Sequence, residues 1–184
     1  MVSLSTSQVS ALTSQQIVSI ETTDLRAFVT SQIAALGSAQ LAALTLEQVS
    51  VLTTLQMPAI GTSALRALAT DRIAVLSSAQ LVALNTVQVT ALTTQQIGSV
   101  ETSDLQALLT SQLTSLATSQ LVGLSAEQIA SLGSNQVAVL LTTQVASLST
   151  TQIAALETGD LRVLGTAQVA ALVSAQSAAL TLEQ

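Results

Sequence analysis

The chain has 184 residues, a net charge of −6, a single aromatic residue, and neither cysteine nor histidine. These counts exclude a thiol nucleophile, a disulfide, a Ser-His pair, and the usual zinc and haem ligand sets. Only 8% of the residues are charged. Without a basic cluster or stacking aromatic rings we expect no binding to nucleic acid.

The mean hydropathy of +0.64 raises the question of a membrane segment. The longest uninterrupted apolar runs are five residues, as in Val137–Leu141 and Val169–Val173. A helix that spans a bilayer needs about 20 apolar residues. We therefore expect no insertion into a membrane. The first residues also lack a basic stretch followed by an apolar core, so they predict no secretory signal.

An eight-residue period starts at Leu4 and continues to Ala179 without insertion or deletion, which gives 22 octads. Position 1 is Leu in most octads, position 6 is apolar in 21, and position 5 is Gln in 17. Position 3 is Ser or Thr in 20, and position 8 holds only Ala, Ser, Val or Gly. The remaining positions vary. Self-similarity at a fixed short period indicates a repeat architecture.

The octad predicts one very short α-helix per repeat. A Ser or Thr at position 2 or 3 caps the helix start, and Gln at position 5 completes a capping box, as in Thr45–Gln48. One continuous helix is excluded, because eight residues at about 100° each shift the leucine stripe by roughly 80° per repeat. Such short helices are unstable alone, so stacking must stabilise them.

We therefore predict an all-α solenoid, with a β-solenoid as the alternative. The β alternative is disfavoured by the abundant alanine and by few turn residues, with seven Gly and one Pro. Positions 1 and 6 form the predicted inward face. Helix dimensions make three sides per coil cramped and favour four or five. A weak similarity at a spacing of five octads links the segments that start at Ile20, Ile60 and Val100, but it breaks at Leu156. The sequence therefore leaves the number of sides open.

Acidic pairs recur along the chain, at Glu21/Asp24, Glu101/Asp104 and Glu157/Asp160. As Ca²⁺ ligands they would need further oxygens, because the ion takes about six to eight. The interpretation that we favour is acidic residues in the first helical turn, which the helix dipole stabilises. We expect no catalytic residues, no bound metal and no cofactor.

Two columns of polar residues are further candidate binding surfaces, and one proline bears on the fold. The Gln column is either a binding array or a structural element that satisfies carbonyls between helices, and we favour the second. The Thr column at position 3 resembles the arrays of ice-binding proteins, although a capping role would turn its hydroxyls toward the backbone. Pro58 should weaken the helix of its octad. Arg26, Arg66 and Arg162 share position 7 and should lie on the solvated surface.

Residues 1–184 are expected to form a single solenoid domain and a fragment of a longer array, because Leu180–Gln184 stops within an octad. The first and last complete octads, Leu4–Ala11 and Leu172–Ala179, lack the polar pattern of capping repeats. We therefore expect the ends to be covered by flanking segments of a parent protein or by end-to-end self-association.

The unit Leu148–Ala155, with the sequence LSTTQIAA, resembles octapeptide arrays in large secreted or surface proteins of bacteria. The resemblance implies an extracellular or cell-surface location and a structural role. The function that we expect is therefore a non-enzymatic spacer or interaction scaffold. The alternative is a solenoid that binds ice or an extended peptide through its Ser/Thr or Gln array.

Overall fold

Short helices, joined by brief turns, follow one another along the described chain. A computed structural model describes residues 3–184, which form 21 α-helices of five or six residues and one 3-10 helix. No residue in this range belongs to a strand. The all-α prediction is confirmed, and the β-solenoid alternative is wrong.

The helices follow one another at eight-residue intervals. The first six are α1 (Thr6–Ser10), α2 (Ser14–Val18), α3 (Thr22–Arg26), α4 (Thr30–Ala34), α5 (Ser38–Ala43) and α6 (Leu46–Ser50), followed by the 3-10 helix Met57–Ala59. The middle helices are α7 (Thr62–Arg66), α8 (Thr70–Ala74), α9 (Ser78–Ala83), α10 (Thr86–Ala91), α11 (Thr94–Gly98), α12 (Thr102–Ala107) and α13 (Thr110–Ser115). The last are α14 (Thr118–Val122), α15 (Ala126–Ala130), α16 (Ser134–Ala138), α17 (Thr142–Ser147), α18 (Thr150–Ala155), α19 (Thr158–Arg162), α20 (Thr166–Ala170) and α21 (Ser174–Ala179).

Every α-helix begins at position 3 of its octad, so position 2 is always the N-cap. Ser, Thr or Asn at position 2 caps the helix directly: the Thr45 hydroxyl accepts a bond of 3.1 Å from the Gln48 backbone N–H. Val29 and Gly37 also serve as N-caps, although neither has a capping side chain. The expected shift of the cap to position 3 is wrong, because Gln at position 5 binds the N-cap backbone N–H whatever residue carries it.

Three helices make one turn of the solenoid. Each helix packs against the helix that lies three octads further along, as α15 packs on α18 and α18 on α21. One coil therefore takes three octads, and the 22 octads make about seven coils. The expectation of four or five sides is wrong, and the five-octad similarity does not mark a coil.

The narrow coil follows from the supply of apolar side chains. Positions 1 and 6 turn inward, and all of them from Ile20 to Leu156 are buried. Each coil thus provides six side chains, almost all aliphatic, to its triangular interior. A four- or five-sided ring would enclose space that these side chains cannot fill, and unfilled core volume is destabilising.

Neighbouring coils approach closely at position 8, as the small residues there predicted. The Ser99 hydroxyl donates a bond of 3.1 Å to the Thr70 carbonyl of the preceding coil. A Cβ atom added at Gly98 would lie 2.9 Å from the Gly123 carbonyl oxygen, too close for a real contact. The backbone of α11 therefore lies very close to Gly123, the C-cap of α14.

Pro58 has the effect that the sequence predicts. Its octad contains the 3-10 helix Met57–Ala59 in place of an α-helix. Proline lacks the N–H that an α-helix needs and its ring crowds the preceding turn. The neighbouring inward side chains Leu52 and Met57 nevertheless remain buried, so the coil continues through this octad.

Candidate functional surfaces: corners, edges and ends

The Gln column connects each coil to the preceding one. Gln144, the third residue of α17, shows the arrangement. Its Oε1 accepts a bond of 2.8 Å from the N-cap N–H of Leu141. Its Nε2 donates to the carbonyls of Leu113 at 3.1 Å and Leu116 at 2.8 Å, on the two flanks of a corner in the coil before. We use corner for the turn between two successive helices. One side chain therefore caps its own helix and closes a corner.

The same connection runs along almost the whole solenoid. A glutamine Nε2 bonds the carbonyl 28 residues earlier at Gln32, Gln40, Gln48, Gln56, Gln80, Gln88, Gln96, Gln112, Gln120, Gln128, Gln136, Gln144, Gln152, Gln168, Gln176 and Gln184. Nearly all of these side chains are buried. The predicted structural role is confirmed, and the column offers no array of free amides to a ligand.

Five octads lack this glutamine: three carry aspartate, and the other two carry Arg72 and Ala64. Arg72 keeps one bond, from its Nε to the Leu44 carbonyl at 2.9 Å, and its Nη1 pairs with Asp71. Ala64 is buried and has no side-chain donor to offer. The corner that its glutamine would have closed, between α4 and α5, therefore lacks this connection.

Two of the three acidic pairs separate into an exposed and a buried member, whereas Asp24 of the first pair is half-buried. Glu101 and Glu157 are exposed N-caps that make no side-chain cap bond. Asp104 and Asp160 occupy the Gln position and are buried. In each case a serine hydroxyl of the preceding coil donates to the carboxylate, from Ser78 at 2.5 Å and from Ser134 at 2.6 Å.

The geometry favours the structural interpretation of these pairs. Asp24, Asp104 and Asp160 belong to octads 3, 13 and 20, so at three octads per coil the pairs lie on three different sides. Among residues 3–184 no three His, Cys, Asp or Glu side chains come close enough to hold a metal ion. The first-turn placement that we favoured is confirmed. The serine partners were missed, although the sequence shows a serine at position 3 of the octad three before that of Asp104 and of Asp160.

The hydroxyls at position 3 are not caps. Position 3 is the first residue of each helix, so the expectation that its hydroxyl caps the helix and turns toward the backbone is wrong. Ser78 and Ser134, both at position 3, instead donate to aspartates of the next coil. One side of the solenoid carries threonine in five successive coils, all exposed: Thr70, Thr94, Thr118, Thr142 and Thr166. We call this row the threonine edge. The exposure of Arg26, Arg66 and Arg162 is as predicted.

The first and last coils of the described chain expose side chains of kinds that the interior coils bury. The side chains of Gln8 and Gln16 are exposed. Their Oε1 atoms bind the N-cap N–H groups of Ser5 and Thr13 at 2.8 Å. In the last coil of the described chain Val169, at position 6 of its octad, is 51% exposed. None of the described helices is long and apolar enough to cross a membrane.

A comparison with family models tests the predicted repeat array. The model of the ALTTAQ repeat matches residues 17–54, 57–94, 73–102, 97–134, 118–150 and 153–184. A comparison with curated proteins gives no match. The matched segments cover most of the sequence, and the prediction of a repeat array along the whole chain is confirmed. The chain belongs to the ALTTAQ repeat family.

Proposed function

We propose that the chain is a non-enzymatic spacer and interaction scaffold within a large exported bacterial protein. The observation that carries the proposal is the row of coil-to-coil glutamine bonds from Gln32 to Gln184. The row is interrupted only at Ala64, Asp104 and Asp160, and Arg72 keeps one of its bonds. A solenoid that is bonded to itself at nearly every corner resists bending, because tilting one coil must lengthen several buried hydrogen bonds at once.

The dimensions suit a spacer. About seven coils at a helix spacing of 8–10 Å give a rod of roughly 60 Å. Its length grows by one helix spacing for every three octads, so the number of octads sets the distance between whatever lies at the two ends. The outer positions carry few charges of either sign, which suits a surface that separates other segments of the same protein without binding them strongly.

Export rests on the resemblance of the octad to arrays of secreted and surface proteins. The absence of cysteine makes folding independent of the redox state on either side of a membrane. An antibody raised against residues 3–184 tests this part of the proposal in the bacterium that produces the protein. Detection at the cell surface or in the medium supports export, whereas confinement to the cytoplasm of intact cells contradicts it.

Length control is the central test of the spacer. We would duplicate residues 108–131, which form one coil with glutamine in all three octads. Small-angle scattering should show a maximum dimension longer by about 8–10 Å, with the helix signal per residue unchanged. Duplication of residues 108–127 adds almost as much chain but breaks the octad phase, so it should lower the melting temperature. An inserted coil that leaves the maximum dimension unchanged contradicts the proposal.

The threonine edge supports a second candidate function. Its five exposed threonines lie in register on one side and their spacing equals the rise of the coil, which gives a regular row of hydroxyl and methyl groups. Such a row suits ice or an extended peptide as ligand.

The ligand-binding candidate is tested on ice with a pair of matched variants. Thr118→Lys breaks the threonine edge, and Thr110→Lys places the same side chain at an equivalent exposed position of the neighbouring side. Ice binding by the edge predicts thermal hysteresis in the wild-type protein and in Thr110→Lys, with a loss in Thr118→Lys. The absence of hysteresis in the wild-type protein rules out ice as the ligand.

A further inference from the structure

We infer that the solenoid bends at one hinge, at the place where α7 and α8 stack on α5 and α6. The inference goes beyond the spacer role, which needs a rod of set length but no place at which the rod bends. It rests on the hydrogen bonds that cross this stack, compared with those that join the following coils.

Two successive octads lack the glutamine at this place, which happens nowhere else in the chain. Ala64 in α7 and Arg72 in α8 occupy the position that holds glutamine in 17 of the 22 octads. Each aspartate at this position has glutamine in the octad before it and in the octad after it. Asp104 also takes a bond from Ser78 of the preceding coil. The loss of bonds between coils is therefore concentrated at α7 and α8.

The two substitutions leave adjacent corners weakly joined to the coil above them. At the corner between α4 and α5, no side chain of the described residues donates to the Leu36 carbonyl, because Ala64 has no donor. At the corner between α5 and α6, Arg72 makes one bond, of 2.9 Å to the Leu44 carbonyl, and its Nη1 pairs with Asp71 of its own helix. Neither flank of α5 therefore has the full link that a glutamine provides.

The third corner of the same coils is fully linked. Gln56 donates to the carbonyls on both flanks of a corner in the coil before it, at 2.9 and 2.8 Å. Gln80 does the same one coil later, at 3.0 and 2.8 Å. Both glutamines lie along the edge on which the chain passes from α6 to the 3-10 helix Met57–Ala59. This edge is therefore the axis of the hinge, and the stack opens on the opposite side, between α5 and α7.

Opening at this place breaks fewer hydrogen bonds than opening one coil later. In the structure the hinge is closed, with α7 packed on α5 and α8 on α6. A tilt at the next coil would have to break the bonds of Gln88 and Gln96, which each donate to two buried carbonyls. At α7 and α8 water can enter the two corners and bond the groups that lack a side-chain partner. The rod therefore bends here first.

Distances between spin labels on introduced cysteines test the hinge, since the chain has no cysteine of its own. The hinge pair is Ala39→Cys with Ser111→Cys, which spans α5 to α13. The control pair is Ser63→Cys with Asn135→Cys, which spans α7 to α16 past corners that are all linked by glutamine on both flanks of this side. All four sites are exposed at position 4 of octads on one side, and each pair is nine octads apart.

The distance distribution of the hinge pair should be broader than that of the control pair by about 3 Å, the diameter of a water molecule that enters the open corners. Ala64→Gln with Arg72→Gln completes both corners and should narrow the distribution of the hinge pair to the width of the control. The reverse variant, Gln88→Ala with Gln96→Arg, moves the two substitutions one coil along and should broaden the control distribution. Circular dichroism verifies that every variant folds.

Three outcomes would overturn the inference. If both pairs give narrow distributions of equal width, the stack of α7 and α8 is as stiff as the others, and the spacer proposal is unaffected. If the hinge pair stays broad after both glutamines are restored, the breadth has a source other than the missing bonds. Broad distributions of equal width for both pairs would contradict the stiff rod as well as the hinge.

Discussion

Two neighbouring octads close their corners in different ways. In α18, Gln152 accepts the Ser149 backbone N–H at 2.8 Å and donates to the carbonyls of Leu121 and Leu124 at 2.9 and 2.8 Å. In α19, Asp160 occupies the equivalent position and is also buried, but it can only accept, and it takes one bond from Ser134.

Glutamine at this position has two roles, capping its own helix and bonding the corner carbonyls of the preceding coil, and aspartate cannot fill the second. A primary amide both donates and accepts, so a single side chain can cap its own helix and satisfy the carbonyls of the coil before. A carboxylate lacks the donor, so it needs a hydroxyl from the preceding coil, and within the described chain the corner carbonyls of Ile129 and Leu132 are left without a side-chain partner. The aspartate corner is therefore compatible with the fold but contributes little stability, whereas the glutamine corner stabilises the fold. Three sets of substitutions test this comparison, and a fourth tests how closely two coils approach.

The largest effect should come from removing a glutamine corner. Gln144→Leu leaves the Leu141 N–H and the buried corner carbonyls of Leu113 and Leu116 without their side-chain partner. Each group that loses a buried bond costs about 1 kcal/mol or more, so the free energy of unfolding should fall by about 3 kcal/mol. Chemical denaturation measures it. Gln106→Leu, the same change at an exposed position, should be nearly silent, and equal effects would show that the corner bonds contribute nothing specific.

The next effect should come from the hydroxyl that serves the aspartate corner. Ser134→Ala leaves the buried Asp160 carboxylate without its donor, which should cost about 2 kcal/mol, because hydrogen bonds to charged groups are stronger than neutral ones. Thr118→Ala, at the same octad position, is the control, since the coil above it presents Gln144, which does not use that hydroxyl. A thermal melt distinguishes the two. Unchanged stability in Ser134→Ala would mean that water replaces the hydroxyl.

Converting one kind of corner into the other should be stabilising. Asp160→Gln loses the bond from Ser134 but gains bonds to the carbonyls of Ile129 and Leu132 and to the Glu157 N–H. We expect a gain of about 1 kcal/mol in the free energy of unfolding. Glu127→Gln removes the same charge from an exposed position and should change little. A loss of stability in Asp160→Gln would show that the aspartate corner is adapted to its own partner.

The smallest effects should concern two glycines and have opposite signs. Gly159 in α19 has open space where a Cβ would be, so Gly159→Ala should stabilise the protein by about 0.5 kcal/mol through helix propensity alone. Gly98 in α11 faces the Gly123 carbonyl oxygen at 2.9 Å from an added Cβ. Gly98→Ala should therefore destabilise, since the backbones must move apart. The two melting temperatures should bracket that of the wild type.

Much of the fold could be predicted from the sequence, because every octad repeats the same local signals for a helix start and for an inward face. The capping sequence Thr45–Gln48 predicted a helix start, and the pairing of Leu at position 1 with an apolar residue at position 6 predicted the inward face. Pro58 was placed correctly for the same reason. These features depend on a few neighbouring residues, which a sequence shows directly.

The number of sides per coil could not be predicted from the sequence, because it depends on contacts between successive helices and between coils. The N-cap of α9, Ser77, is extended with φ −71° and ψ 159°, and many residue types adopt these angles. What selects three sides is the small set of aliphatic side chains that must fill the interior, together with the glutamine that reaches the coil before. The bond from Gln144 to the Leu116 carbonyl joins residues 28 apart in the chain. No short sequence pattern predicts such a bond.

The three-octad coil and the five-octad similarity within the sequence are out of step. The family matches at residues 17–54, 57–94 and 97–134 begin five octads apart, which is one coil and two further sides. A residue copied with such a segment therefore reappears on a different side each time, and it returns to its first side only after three copies. Duplication of these segments consequently distributes the copies of any exposed side chain along a helical path around the rod. An array that lengthens by whole coils would instead place these copies in a straight row on one side of the rod.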